Sequence, residues 1–263
     1  MIEVRRAADR AVTRTDWLDS RHSFSYGSHH DPANTHFGLL LACNEDRLAA
    51  GAGFAEHPHR DVEVVTWVMA GVLRHTDDAG HRGEARPGVV QRMSAGDGVR
   101  HAEHAGPGGA HYVQMWLRPA SPGGEPAYDT VAVGPGLTEL TPLRQPAATL
   151  HAGRLPAGGS ATLPAAAYRH VLVLAGTVEL GVPATEPPPA EPVPGGPLGA
   201  APPLAEPART GPPSARSAAG VTSVVRLEPG DAARLTGGGP VELRSPAGAD
   251  VVAWGMRTGL SVG

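Results

Sequence analysis

The sequence predicts an all-β protein built as two similar β-barrels in tandem, and three observations predict it. Apolar runs such as Phe37–Cys43, Val62–Met69, Val89–Met93 and Tyr112–Leu117 alternate with Gly, Pro and Asp. They recur about every 8–12 residues, the rhythm of a sandwich or barrel. No segment keeps an apolar helical period long enough for a major helix. The second half also repeats the first. Val64-Val-Thr-Trp-Val-Met-Ala-Gly71 answers to Arg169-His-Val-Leu-Val-Leu-Ala-Gly176 at an offset of 105. Arg86-Pro-Gly-Val-Val-Gln-Arg-Met93 answers to Glu228-Pro-Gly-Asp-Ala-Ala-Arg-Leu235 at an offset of 142. The expected division is a first barrel over 1–120 and a second over 121–263.

In chain order, residues 1–36 are polar and aperiodic, and read as strand fragments and turns packed across the mouth of the first barrel. The two offsets differ by 37 (142 − 105), so the second copy carries an insertion of about that size. Residues 182–220 supply it, with 12 of the 27 prolines and no aromatic residue. Such a segment cannot bury enough apolar surface to offset its ordering entropy, so a disordered loop between two strands of the second barrel is expected.

Bulk properties exclude several classes. A net charge of −4 and a pI near 6.3 give no basic footprint, so direct nucleic-acid binding has no electrostatic support. The lone cysteine, Cys43, cannot form an internal disulfide, and it sits in an apolar run that reads as a buried strand. Glu3, Arg5, Arg6, Asp9 and Arg10 stand where a signal peptide needs an apolar core, and no run reaches the roughly 18 apolar residues of a membrane span. A cytoplasmic protein without a membrane partner is expected.

Chemistry concentrates in His57-Pro58-His59 and His101-Ala102-Glu103. A spacing of two places both members of each pair on one face of a strand. Three imidazoles and a carboxylate suit one first-row divalent metal, if the two strands are neighbours. Gly96-Asp-Gly98, just before His101, is a turn signal that could deliver the second strand beside the first. Glu63 is the competing carboxylate, but four extended residues separate it from His59 by about 13 Å. The remaining histidines, His75 among them, read as solvated or hydrogen-bonded polar residues. The repeat supplies a control: at the two offsets His57 and His59 become Thr162 and Pro164, and His101 and Glu103 become Leu243 and Ser245. One metal site per chain is therefore expected, in the first barrel. Trp67, Gln114 and Trp116 are candidate pocket walls, although core packing competes for each aromatic.

Gly51-(x)5-His57-x-His59-x3-Glu63 resembles the first motif of the cupins. More specifically, His57-Pro-His-Arg-Asp-Val-Glu-Val-Val-Thr-Trp-Val-Met-Ala-Gly71 and Met93-Ser-Ala-Gly-Asp-Gly-Val-Arg-His-Ala-Glu103 resemble the pirin family. So do Trp17-Leu-Asp-Ser-Arg-His-Ser-Phe-Ser-Tyr-Gly27, Asp31-Pro32, Asn34, Phe37-Gly38 and Asn44-Glu-Asp46. The match is tight over 15–118 and loose beyond. It departs at Asp61, where the family more often has Gly, and at the 182–220 insertion. The resemblance implies a bicupin of jelly-roll-like barrels with one metal, usually Fe2+, held by His57, His59, His101 and Glu103; Cu, Ni, Zn and Mn suit the same donors. It also implies a dioxygenase that opens quercetin or a related flavonol or enediol with O2 and releases carbon monoxide. A carboxylate near the metal could take the proton of the substrate hydroxyl, and Glu103 is the candidate for this catalytic role while remaining a ligand. The alternative it implies is a redox-sensitive iron-binding regulator that acts through a protein partner.

Overall fold

Two long strands, Glu63–Asp77 and Val99–Leu117, carry the first half of the computed structural model, which describes residues 1–183 and 221–260. Each is longer than its apolar segment, because glycine bends these strands rather than ending them. Gly71 and Gly109 adopt φ of 74° and 78°, and a Cβ on Gly71 would collide with the Gly109 carbonyl oxygen. The register shifts at this crossing, between Val68 and Ala70 and again between Gly71 and Leu73. Such bulges let one strand turn the corner between two layers.

Before the corner, the first layer runs in the order Ala127–Ala132, Val89–Ser94, Glu63–Asp77, Val99–Leu117, Leu40–Leu48, Leu18–His22, Ala11–Arg14. Past the corner the same two long strands stay paired, His75 opposite Glu103 and Asp77 opposite His101. There they take on Gly53–His59 at one edge and Arg82–Ala85 at the other. The layers face each other, since Glu103 on the second accepts hydrogen bonds from Gln91 and Gln114 on the first. The result is an open jelly roll rather than a closed ring of pairings.

The second half repeats the plan with a six-stranded and a four-stranded sheet. Gly176, with φ 72°, approaches the Gly248 carbonyl as Gly71 approaches Gly109. Val178–Pro183 pairs with Val221–Leu227, so the Pro-rich insertion joins two paired neighbours; its residues 184–220 lie outside the described residues. Strand pairing crosses the expected boundary at 120 in both directions. Ile2–Arg5 adds to Ala232–Thr236 of the second half, and Ala127–Ala132 adds to Val89–Ser94 of the first. The only helical element among the described residues is the short 3₁₀ turn Ala7–Asp9.

One apolar cluster, containing Leu40, Cys43, Trp67, Met115, Leu150, Trp254 and Met256, spans both halves and holds them together. Each fully buried Leu or Met contributes about 1.5–3 kcal/mol. The Cys43 thiol is fully buried there, and burial pushes its pKa up to about 11.

The strand register corrects the residue matching between halves. Where His57 faces His101 and His75 faces Glu103, the second half sets Leu163 opposite Val241 and Leu180 opposite Leu243. Glu103 therefore corresponds to Leu243 and His101 to Val241, two residues away from the constant-offset matches. An offset holds only within a strand, and the loops leading into the two copies differ in length.

Candidate metal centre and pocket

The expected turn leads into the second ligand strand. Gly98 N donates to Ala95 O at 2.9 Å, and Val99–Leu117 then runs antiparallel to Gly53–His59, setting His57 level with His101. His57, His59 and His101 each offer a ring nitrogen within 4.8 Å of the others. Glu103 forms the corresponding group with His101 and His75 instead. His101 is thus common to both groups, one gathering the three expected imidazoles and the other containing the expected carboxylate.

Hydrogen bonds settle the tautomers. His57 Nδ1 lies 2.8 Å from the Ala55 carbonyl, so it carries the proton and its Nε2 presents a lone pair. On the far side, His75 Nε2 lies 3.0 Å from Asp77 Oδ2 and donates to it, and in the neutral ring that leaves His75 Nδ1 as an acceptor. His101 Nδ1, 3.2 Å from His75 Nδ1, therefore donates, and His101 Nε2 also presents a lone pair. These two Nε2 atoms face each other at 3.0 Å. Two lone pairs so placed repel, and a cation beside them reverses the sign of the interaction. Two donors about 2.1 Å from a metal at a right angle to each other would be about 3 Å apart, so the pair fits adjacent positions of an octahedral ion.

The electrostatics suit ligation. Burial, then the neighbouring His101 and His57, lowers His59 to about 4. Burial, then His57 and His75, lowers His101 to about 3. Both rings are therefore neutral at pH 7, the state a metal ligand needs. Asp77 is opposed by burial but held below its ordinary range by hydrogen bonds from His75 and His81. An Asp77–His75–His101 chain of this kind fixes a ligand's orientation.

Glu103 is buried and doubly tethered. Gln91 Nε2 and Gln114 Nε2 each donate to it at 2.8 Å. Trp116 Nε1 donates to Gln114 Oε1, and the Tyr128 hydroxyl donates to Gln91 Oε1. Tyr128 also stacks on His75 with 4.4 Å between ring centres. It comes from residues beyond the expected first barrel, so that barrel alone does not complete the site. Glu63, the rejected alternative, is buried at the far end of its strand and accepts the Arg144 amide at 2.9 Å.

A pocket of about 210 Å³ opens beside His57 and Glu103. Gln114 and Trp116 line it, as do Tyr26, Asn44, Asp46 and Phe54. Trp67 does not. It alternates to the opposite face from Thr66, whose hydroxyl accepts from Gln114, and packs in the cluster between the halves. Strand periodicity explains this correction: residue 66 faces the site, so residue 67 cannot. Asp46, pushed up to about 6 by burial, has no ligand-type partner two residues away and carries no sequence signal; His75-Thr76-Asp77 does have the spacing of the metal pairs, and that signal could have drawn attention to His75. The αL conformation of Asp61 (φ 51°) accounts for the glycine that pirins more often carry there.

The family model described as Pirin matches residues 4–117. A Mycobacterium tuberculosis protein named "putative quercetin 2,3-dioxygenase" is 46% identical over 196 residues, covering 68% of this chain and 80% of that one. The quercetin 2,3-dioxygenase of Escherichia coli K12 is 38% identical over 131 residues, 49% of this chain and 57% of that one. The fold matches the crystal structure of the bacterial pirin YhhW from Escherichia coli in complex with nickel(II). The TM-score is 0.76 at 24% identity, covering 98% of this chain and all of that one. No helix among the described residues is long and apolar enough to cross a membrane.

Proposed function

The chain belongs to the pirin family, and from that premise we propose that it is a metal-dependent dioxygenase that opens quercetin or a related flavonol or enediol with O2. The observation that carries the reading is the convergence of the His57 and His101 Nε2 lone pairs, with His59 beside them, at the edge of the pocket. His57, His59, His101 and Glu103 hold the ion in this reading, and Fe2+ is the ion we assign. When bound, it supplies Lewis acidity toward a substrate hydroxyl and the redox capacity that O2 chemistry requires.

The chain's own groups supply the rest. Glu103 takes up the proton of the substrate hydroxyl on a carboxylate oxygen, in exchange for one of its two carboxamide hydrogen bonds. Trp116 and Tyr26, packed edge to face with 5.4 Å between ring centres, offer apolar walls for a planar substrate, and Phe54 completes them. Asn44 and Asp46 provide polar contacts for its hydroxyls. The buried, lone Cys43 suits a reducing compartment, and we place the protein in the cytoplasm.

The test is anaerobic protein, loaded separately with iron, nickel and copper, mixed with quercetin and then exposed to oxygen. Loss of flavonol absorbance with release of carbon monoxide is expected, and His57→Ala should lose both metal and turnover. Intact quercetin in all three loaded samples would overturn the reading.

A further inference from the structure

A second cavity, of about 290 Å³, opens along the seam between the two halves, with His22 as the wall it shares with the pocket at His57. Four arginines line it, and three are neutralised within the protein. Arg5 pairs with Glu3, Arg6 with Asp231 and Arg10 with Glu45, at 2.6, 2.7 and 3.0 Å. Arg234 has no carboxylate partner among the described residues. It is only 4% exposed, its Nη2 donates to Ser23 O and Asn34 Oδ1, and its Nε is buried without a partner. Its guanidinium lies 4.4 Å over the Phe24 ring.

Directly across the strand pair from Arg234 sits His170, fully buried with both ring nitrogens unpartnered. Directly opposed residues share one face of a sheet, with Cβ atoms about 5 Å apart. A buried cation without a counterion and an imidazole without hydrogen bonds are each costly. Here they lie together on the wall of one cavity. Burial, and then the charges of Arg234 and Arg10, lowers His170 to about 3, so it is a neutral ring with one N–H to donate. Arg234 is thus the one arginine of the lining without a carboxylate partner among the described residues. Asp9 and Asp31 also line the cavity, but both are exposed to solvent and neither pairs with Arg234.

We propose that this seam cavity binds a singly charged organic carboxylate, held by the Arg234 guanidinium and an N–H of His170. A guanidinium matches the two oxygens of a carboxylate. The Phe24 ring beside it offers an apolar surface for the rest of the molecule, and the volume admits a ligand of several non-hydrogen atoms. Single charge disfavours a phosphate dianion, which would bring a second negative charge that nothing in the cavity balances.

Titration calorimetry and thermal melts of the full chain with benzoate test the assignment, with inorganic phosphate as a parallel arm. Benzoate should bind saturably and raise the melting temperature. Arg234→Gln and His170→Phe should each weaken binding at least tenfold, while His101→Ala, outside the cavity, leaves it unchanged. His170→Phe removes two unpartnered nitrogens and should melt no lower than the parent without ligand, so it decides the matter should Arg234→Gln fail to fold. Absence of saturable benzoate binding, equal binding by His170→Phe, or tighter binding of phosphate than of benzoate would each overturn the proposal.

Discussion

The two halves share a backbone plan and differ in what they enclose. Across the corner of the first half, His75 faces Glu103, and His57 and Asp77 flank His101. At the matching positions of the second, Leu180 faces Leu243 and Leu163 faces Val241. Those four residues belong to one continuous apolar cluster with Val178, Leu227 and Val251. In the first half the interior apolar residues form two separate clusters, one around Leu48, Leu73 and Tyr112 and one around Val64, Met93 and Val99. The corner glycines and the alternation of buried residues therefore suffice for the fold, whatever the interior. Burying polar groups costs free energy, so the polar interior of the first half is not explained by the folding it assists.

The largest expected effect comes from making the first half resemble the second. A chain carrying His57→Leu, His101→Val and Glu103→Leu should keep its β circular dichroism yet lose metal affinity by more than about 100-fold, beyond the usual cost of disturbing a ligand's neighbours. Elemental analysis after dialysis measures this, and full metal retention would place the site elsewhere. Next come the corners. Gly71→Ala and Gly176→Ala each force a Cβ against a facing carbonyl and should each cost about 2–4 kcal/mol by urea denaturation. A large loss at one corner alone would mean that the two are not equivalent. The smallest effect belongs to His75→Leu, which puts the second half's residue beside His101. It should lower metal affinity about 10–100-fold without abolishing it, and unchanged affinity would remove His75 from any orienting role.

Much of this comparison can be read from the chain alone. Val64–Gly71 and Arg169–Gly176 align without a gap, and the loss of the expected metal ligands from the second copy is visible once the repeat is seen. The exact replacements are not, because loop lengths shift the matching by two residues. The side on which Trp67 lies is equally illegible, because its strand is buried on both faces and hydrophobicity cannot say which face meets the site. Val99–Leu117 extends well before its apolar segment because Gly106, Gly108 and Gly109 mark a bend rather than an end.

What the sequence determined by itself is local. Side chains alternate along a strand with a period of two, so His57 with His59, and His101 with Glu103, share a face wherever those strands go. Tertiary structure alone decided how strands align. It set His75 and Asp77 behind His101, tethered Glu103 to Gln91 and Gln114, and laid Arg234 beside His170. These contacts depend on cross-strand register and on burial. Both are set by bulges, corner glycines and the packing of one half on the other, between residues far apart in the chain.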